Sequence, residues 1–182
     1  LLDAALELIG TVGFPATTIR VLCERAGVAP RYFYEHFTSR EELLRTVYDG
    51  VIEEVFGAVA DAREALAPDD PERVPRLIEV FLRAMTGDER RARVCYLEVP
   101  AASYALEGRR RTVVRRFEAL IEAEARGADP SRDFSLSALA LAGAVNELLQ
   151  AWLLGERRPP LDVLAAELSA LFAATLAVGA RK

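Results

Sequence analysis

The sequence predicts an all-α protein of about nine helices, a small three-helix unit at the N-terminus followed by a larger helical region. Three observations carry this expectation. Apolar residues recur at helical spacing through almost every segment, and no stretch alternates with the two-residue period of a strand. Start and stop residues divide the chain at helix-length intervals, among them Gly13, Pro30, the Ser39 to Glu42 box, the Pro68 to Pro71 break and Gly87. The last two segments are rich in alanine and leucine around much of their circumference, so they must be buried on more than one side.

The first helix is expected from Leu1 to Val12, with Leu2, Ala5, Leu6, Ile9 and Val12 on one stripe and Gly13 as its stop. Thr17 is the expected N-cap of the second, its hydroxyl accepting from an otherwise orphan backbone N–H. Neighbouring N–H groups there are free to meet a phosphate. In this helix Ile19, Leu22, Cys23 and Ala26 share one face, which should be buried. Gly27 makes a tight turn, and Pro30 suits the first position of the third helix. Phe33 and Phe37, four apart, point inward and leave Arg31, Tyr32, Glu35 and His36 facing outward. Ala29, before Pro30, offers no side-chain cap, a contribution typically worth ~1 kcal/mol.

A helix, a glycine turn and a second helix with a polar and aromatic outer face form the pattern of a helix-turn-helix, whose second helix enters the DNA major groove. An ordinary αα corner with an aromatic core fits the spacing equally. The residues go further. Thr17-Thr18-Ile19-Arg20, Ala26-Gly27-Val28, Phe33-Tyr34, His36-Phe37 and Ser39-Arg40-Glu41-Glu42-Leu43 closely resemble the DNA-binding domain of the TetR family of bacterial regulators. The resemblance implies a helix-turn-helix DNA-binding domain over residues 1–48 and a ligand-binding and dimerisation domain over 49–182. It also implies a homodimer formed largely by the last two helices, and repression by occupying promoters.

Ser39-Arg40-Glu41-Glu42 has the form of a capping box, and a long helix from about Arg40 to Ala65 should come after it, marked by Leu43, Leu44, Val47, Val51, Val55 and Val59. At ~1.5 Å per residue it is a rod of roughly 40 Å. Gly50 and Gly57 within it suggest close packing. After the Pro68-Asp69-Asp70-Pro71 loop, helices are expected from Arg73 to Met85, from Asp88 to Val99 with a stop before Pro100, and from Tyr104 to Arg126. The arginines at 109, 110, 111, 115 and 116 share the last of these with Glu107, Glu118, Glu122 and Glu124, which reads as a solvated face rather than a second nucleic-acid patch. The final pair should span Ser135 to Leu154 and Leu161 to Val178.

Composition narrows the functions. The chain has 182 residues, 52% of them hydrophobic, a net charge of −5 and one histidine, His36. No apolar run long enough to span a bilayer is expected, and therefore no membrane partner. The negative balance argues against indiscriminate nucleic-acid binding, since residues 1–50 hold five arginines against seven carboxylates. The chain opens at Leu1 without methionine, so a preceding segment, basic in many relatives of the family, is expected beyond it. Cys23 and Cys95 lack a CxxC partner, which fits a reducing cytoplasm. No His or Cys cluster has metal spacing and no catalytic constellation is indicated, so neither a metal, a cofactor nor enzymatic activity is expected. An all-α interaction module without DNA is the alternative.

The expected site residues fall into three sets. Arg31 and Tyr32, at the exposed opening of the third helix, stand where base edges are met, and Arg can bridge guanine O6 and N7. By family resemblance Tyr34, His36, Thr17, Thr18 and Arg40 touch phosphate, while Glu35 accepts from a cytosine amino group or repels wrong sites. The dimer interface is expected at Ala140, Gly143, Ala144 and Ala151, with Ala166, Ala170, Ala173 and Ala177 from the last helix. A small, mostly apolar effector is expected near Asn146 and Gln150, with Phe81, Met85, Tyr96, Glu98, Tyr104, Phe117 and Trp152 as neighbours. A monomer core explains the same residues.

Overall fold

The computed structural model describes residues 1–177, which form nine helices and no strand. They are α1 (Leu2–Val12), α2 (Ile19–Ala26), α3 (Pro30–His36), α4 (Arg40–Ala65), α5 (Arg73–Thr86), α6 (Glu89–Arg93 continuing through the π-helical turn Val94–Glu98 into Val99–Ala102), α7 (Tyr104–Ala128), α8 (Ser135–Leu153) and α9 (Leu161–Ala177). The expected end of the last helix at Val178 lies outside the described residues. Two compact units are present. One comprises Leu1–Val55 and Met85–Arg110, and the other Phe56–Ala84 and the described residues from Arg111 onward.

In the first unit the core is built from Ile9 of α1, Leu22 of α2, Phe33 of α3, Leu43 and Leu44 of α4, and Val94 of α6, all essentially inaccessible to water. The stripe expected on α1 is rotated. Ala4, Ala5, Ile9 and Gly10 are buried while Leu2 and Val12 are exposed, because this face lies against α6 and Gly10 admits Arg90 directly. A Cβ built at Gly10 would stand 2.4 Å from the Arg90 Cβ, so only glycine permits this crossing.

Helix ends follow local chemistry, with corrections. The N-cap of α2 is Thr18, whose hydroxyl accepts from the Val21 N–H at 3.3 Å. Thr17, expected in that role, is buried and donates its hydroxyl to the Gly13 carbonyl at 2.8 Å, tying the loop to the end of α1. At the start of α4 the Ser39 hydroxyl accepts from the Glu42 N–H at 3.1 Å, and Glu42 reaches back to the N–H and hydroxyl of Thr38, one residue before the usual capping-box partner. The Thr38 side-chain hydrogen bond leads in holding the Glu42 carboxyl below its ordinary range. Gly50 and Gly57 face open space, so the close packing expected of them is absent within the described residues. α6 does not stop before Pro100. It runs to Ala102, and just ahead of the proline it widens into a π turn in which the Val99 N–H reaches the Val94 carbonyl, a distortion that accommodates the proline ring.

In the second unit Phe134, Leu141, Phe172 and Ala125 form a buried cluster with Val74, Ile121 and Leu176 around it. Arg132 closes its edge, donating to the Thr175 and Leu176 carbonyls at 3.1 Å. α8 overturns one expectation: it is long and apolar enough, at a mean hydropathy of 1.3, to cross a membrane by length and composition. Alanine and leucine fill it and Glu147 is its one charge. Much of it is open, Leu136 being 80% exposed, and Leu139, Val163 and Leu171 extend an accessible apolar face over α8 and α9.

The end of α4 is fixed by a charged cluster. Glu124 of α7, almost buried, accepts from Arg63 at 2.6 Å and Arg73 at 2.7 Å, and Arg73 also donates to the Arg63 and Leu66 carbonyls. Burial pushes the Glu124 carboxyl up, but the Arg73 and Arg63 hydrogen bonds outweigh it and the net shift is downward. A lowered carboxyl in the folded state stabilises fully above its unfolded value, 4.5, and that contribution is lost as pH falls through the folded value. Glu124→Gln should therefore cost on the order of 2 kcal/mol at neutral pH, and its unfolding free energy should fall less steeply below pH 4.5 than that of the wild type. Chemical denaturation of both proteins at a series of pH values measures this, and parallel curves would contradict it.

Candidate nucleic-acid interface

Two short helices and the turn at Gly27 build the candidate surface. α2 ends at Gly27, whose φ of 68° places it in the left-handed region that glycine occupies without strain, and its N–H bonds back to the Cys23 carbonyl. Val28 continues the cap, its N–H reaching Cys23 at 3.0 Å. α3 then begins at Pro30 without a side-chain cap at Ala29, as the residue types require. Phe33 is fully buried and packs near Phe37, ring centroids 5.7 Å apart, which fixes the roll of α3 about its axis. The opposite face is left to solvent.

On that face the expected readers are present. Arg31, Tyr32, Tyr34, Glu35 and His36 are all exposed. The Arg31 guanidinium pairs with Glu35 at 2.9 Å, a contact between two accessible groups and therefore weak. Tyr32 and His36 meet edge to face at 4.5 Å, one turn apart. Tyr34 is 64% exposed and meets the Phe33 ring edge to face at 5.4 Å. Thr18 is accessible at the α2 N-terminus.

Two of the expected phosphate partners have other tasks. Thr17 is buried, so its hydroxyl is spent inside the fold. The Arg40 guanidinium lies 4.8 Å from the Phe14 ring centroid and donates to the carbonyls of Phe14 and Thr17 at 3.2 and 2.9 Å. Opposite it, the Phe14 N–H donates to Glu98 of α6 at 2.8 Å. The 13–18 loop is thus tied by its own hydroxyl, by α4 and by α6. Glu98 stands 84 positions from its partner, and no local pattern signals such a pairing.

The residues expected around an effector are divided between the two units. Met85, Tyr96, Glu98 and Tyr104 belong to the first unit, and Phe81, Phe117, Asn146, Gln150 and Trp152 to the second. Glu98 accepts from the Phe14 N–H, and Tyr104 is 90% exposed. Burial pushes the Tyr96 phenol and the Cys95 thiol well above their ordinary values, and leaves Cys95 an inert neutral thiol. Phe117 stacks on Phe56 at 4.3 Å and meets Phe81 edge to face at 5.3 Å. Trp152 donates its indole N–H to the Pro159 carbonyl at 3.1 Å and carries Arg158 over its ring, which closes the α8–α9 connection. Asn146 and Gln150 are half-buried on α8. Among the expected interface residues, Ala140, Gly143, Ala166, Ala170, Ala173 and Ala177 are exposed and Ala144 and Ala151 half-buried. Ala140 and Ala144 also line an open depression of about 300 Å³ with Leu141 and Leu171. Of the arginines on α7, Arg109 pairs with Asp49 at 2.7 Å and Arg110 with Glu107 at 2.7 Å, which matches a paired rather than nucleic-acid-binding face. No group of three or more His, Cys, Asp or Glu among the described residues is arranged to hold a metal.

Residues 1–47 match the family model described as bacterial regulatory proteins, tetR family. The HTH-type transcriptional regulator BetI of Rhizobium meliloti (strain 1021) is 38% identical over 85 residues, a match covering 46% of this chain and 41% of BetI. The chain therefore matches less than half the length of this curated relative. A solved TetR-like transcriptional regulator from Rhodococcus sp. RHA1 superposes with a TM-score of 0.78 at 25% identity, covering 97% of this chain and 93% of that one. The transcriptional regulator FadR from Bacillus subtilis, solved with stearoyl-CoA, superposes with a TM-score of 0.80 over 94% of this chain and 95% of its own, and at 18% identity shows the shared fold.

The geometry gives Arg31 and Arg40 different structural loads in the DNA-free protein. Arg40→Ala should lower the stability of the DNA-free protein by about 1–3 kcal/mol, since it strips a charged donor from two loop carbonyls. Arg31→Ala, on a 90% exposed side chain, should leave stability within about 0.5 kcal/mol of wild type. Thermal unfolding without DNA checks both, and equal losses would refute the distinction.

Proposed function

The chain belongs to the TetR family of bacterial regulators, and from that premise we propose that it is a cytoplasmic, sequence-specific transcriptional repressor that binds a palindromic operator as a homodimer and is released by a small, mostly apolar effector. The observation that carries the reading is α3: a seven-residue helix whose Phe33 is fully buried while Arg31, Tyr32, Tyr34, Glu35 and His36 all face solvent. Such a helix is held rigidly by one face and offers the other to a groove. In the proposal Arg31 and Tyr32 meet base edges, and Tyr34, His36, Thr18 and the N–H groups opening α2 meet phosphate. Arg31 must leave Glu35 to do so, at small cost, and Glu35 then accepts from a cytosine amino group or rejects sites that lack one.

The functional division proposed is residues 1–48 for DNA and 49–182 for effector and dimerisation. Support for the dimer comes from the accessible Ala and Leu face of α8 and α9, where small residues let a second copy approach closely. Two such protomers related by a two-fold axis place their α3 helices in successive major grooves, about 34–36 Å apart. Support for the effector is the half-buried pair Asn146 and Gln150 on a largely apolar helix, a composition typical of small-molecule sites. An effector coupling of ~1–3 kcal/mol would weaken operator binding roughly 5- to 150-fold, and DNA would weaken effector binding by the same factor.

Selection from a random duplex pool tests the reading. The recovered sites are expected to be near-palindromes, and Arg31→Ala should relax the preference at one base pair per half-site at a cost of about 1–3 kcal/mol. Recovered sites without dyad symmetry would contradict it. Independently, Ala170→Glu should convert a dimer to a monomer in sedimentation at micromolar concentration while helicity is retained. A wild type that sediments as a monomer would remove the dimer from the proposal.

A further inference from the structure

Phe14, buried in the loop between α1 and α2, has its backbone held from two remote parts of the sequence. Arg40 of α4 donates to its carbonyl at 3.2 Å, and the Glu98 carboxylate, at the end of the π turn in α6, accepts from its N–H at 2.8 Å. From this geometry we infer that Glu98 is a positioning residue for DNA binding, which sets the 13–18 loop, and with it the Thr18 cap from which α2 starts, through the Phe14 N–H. The inference rests on the DNA-binding reading above and assigns Glu98 to the DNA-reading unit rather than to an effector.

The surroundings make the contact a fixed one. Glu98 is half-buried, and the chain passes directly beneath its carboxylate at Gly13, where a Cβ would stand 3.5 Å from both oxygens. Gly13 also has a φ of 89°, so a side chain at this position would be strained by its backbone conformation although the space admits a Cβ in contact with the carboxylate. One turn earlier, α1 meets α6 at Gly10 with no side chain between the backbone and Arg90. The π turn adds a residue to α6 ahead of Val99 and so fixes where Glu98 points. Without that carboxylate the Phe14 N–H is a donor beside a buried ring with no partner on offer from its own loop. The only chemistry required is one well-placed acceptor, and the negative charge is incidental.

That requirement orders the variants. Glu98→Gln retains an acceptor oxygen at the same reach and should bind the selected operator much as the wild type does. Glu98→Ala removes the acceptor and Glu98→Asp withdraws it while keeping the charge. Both should lose about tenfold in operator affinity, measured per active protomer by stoichiometric titration. The slope of affinity against salt should not change, because no phosphate partner has been removed. Hydrogen exchange without DNA should show faster exchange of the amides at 13–18 in the Ala and Asp variants and not in Gln. Wild-type affinity in Glu98→Ala, an altered salt slope, unchanged exchange at Phe14, or Asp behaving as wild type while Gln fails would each overturn the inference. A wild type that selects no duplex would overturn the DNA reading instead, and the exchange experiment would still decide whether Glu98 holds the loop.

Discussion

The first unit depends on one constraint: a short loop with buried polar groups must have them satisfied, and here the loop's own threonine is joined by two partners from elsewhere in the chain. The Gly13 carbonyl takes the Thr17 hydroxyl, the Phe14 carbonyl takes Arg40 and the Phe14 N–H takes Glu98. The helices beyond the loop inherit its precision. Thr18 caps α2, the Gly27 turn fixes α3 against α2, and buried Phe33 sets which residues of α3 face outward. A base-reading surface needs this rigidity, since hydrogen bonds to base edges tolerate little misplacement.

Charge enters in the same local way. The acidic balance of residues 1–50 is offset by pairing: Glu7 with Arg25, Glu24 with Arg20, Glu35 with Arg31, Glu42 with Arg45 and Asp49 with Arg109. Several of these pairs are accessible and individually weak, so they hold side chains without fixing them. In the proposed complex Arg31 can therefore change partners, whereas Arg40, bound to two carbonyls, cannot do so without loosening the loop. A protein with net charge −5 gains little non-specific attraction to DNA from its field, which in the proposed complex leaves discrimination to the few groups on α3.

Much of the fold could be read in the sequence because it is written in short-range pattern. The long helix Arg40–Ala65 was set by its capping box and a run of valines and leucines, and the outward face of α3 by the spacing of two phenylalanines. The features that could not be read have two main physical origins. Some contacts are long-range, such as Glu98 with Phe14 and Glu124 with Arg63 and Arg73, and no local spacing encodes them. Others are competitions between adjacent groups: Thr17 and Thr18 are equally good caps by type, and only the buried Gly13 carbonyl decides which hydroxyl goes inside. Pro100 illustrates a third case, a helix breaker absorbed by a π turn where a stop would be expected. Phe117 stacks on Phe56 and Trp152 donates to the Pro159 carbonyl, partners that composition does not encode.

The central claim is that α3 reads the major groove and does so twice, once from each of two symmetric copies. Methylation protection at guanine N7 on a selected operator observes that groove directly. The account predicts protected guanines in two patches one helical turn apart, related by a dyad, with protection weakened in both patches by Arg31→Ala. Protection confined to one patch, or an operator bound with every guanine N7 still reactive, would contradict it.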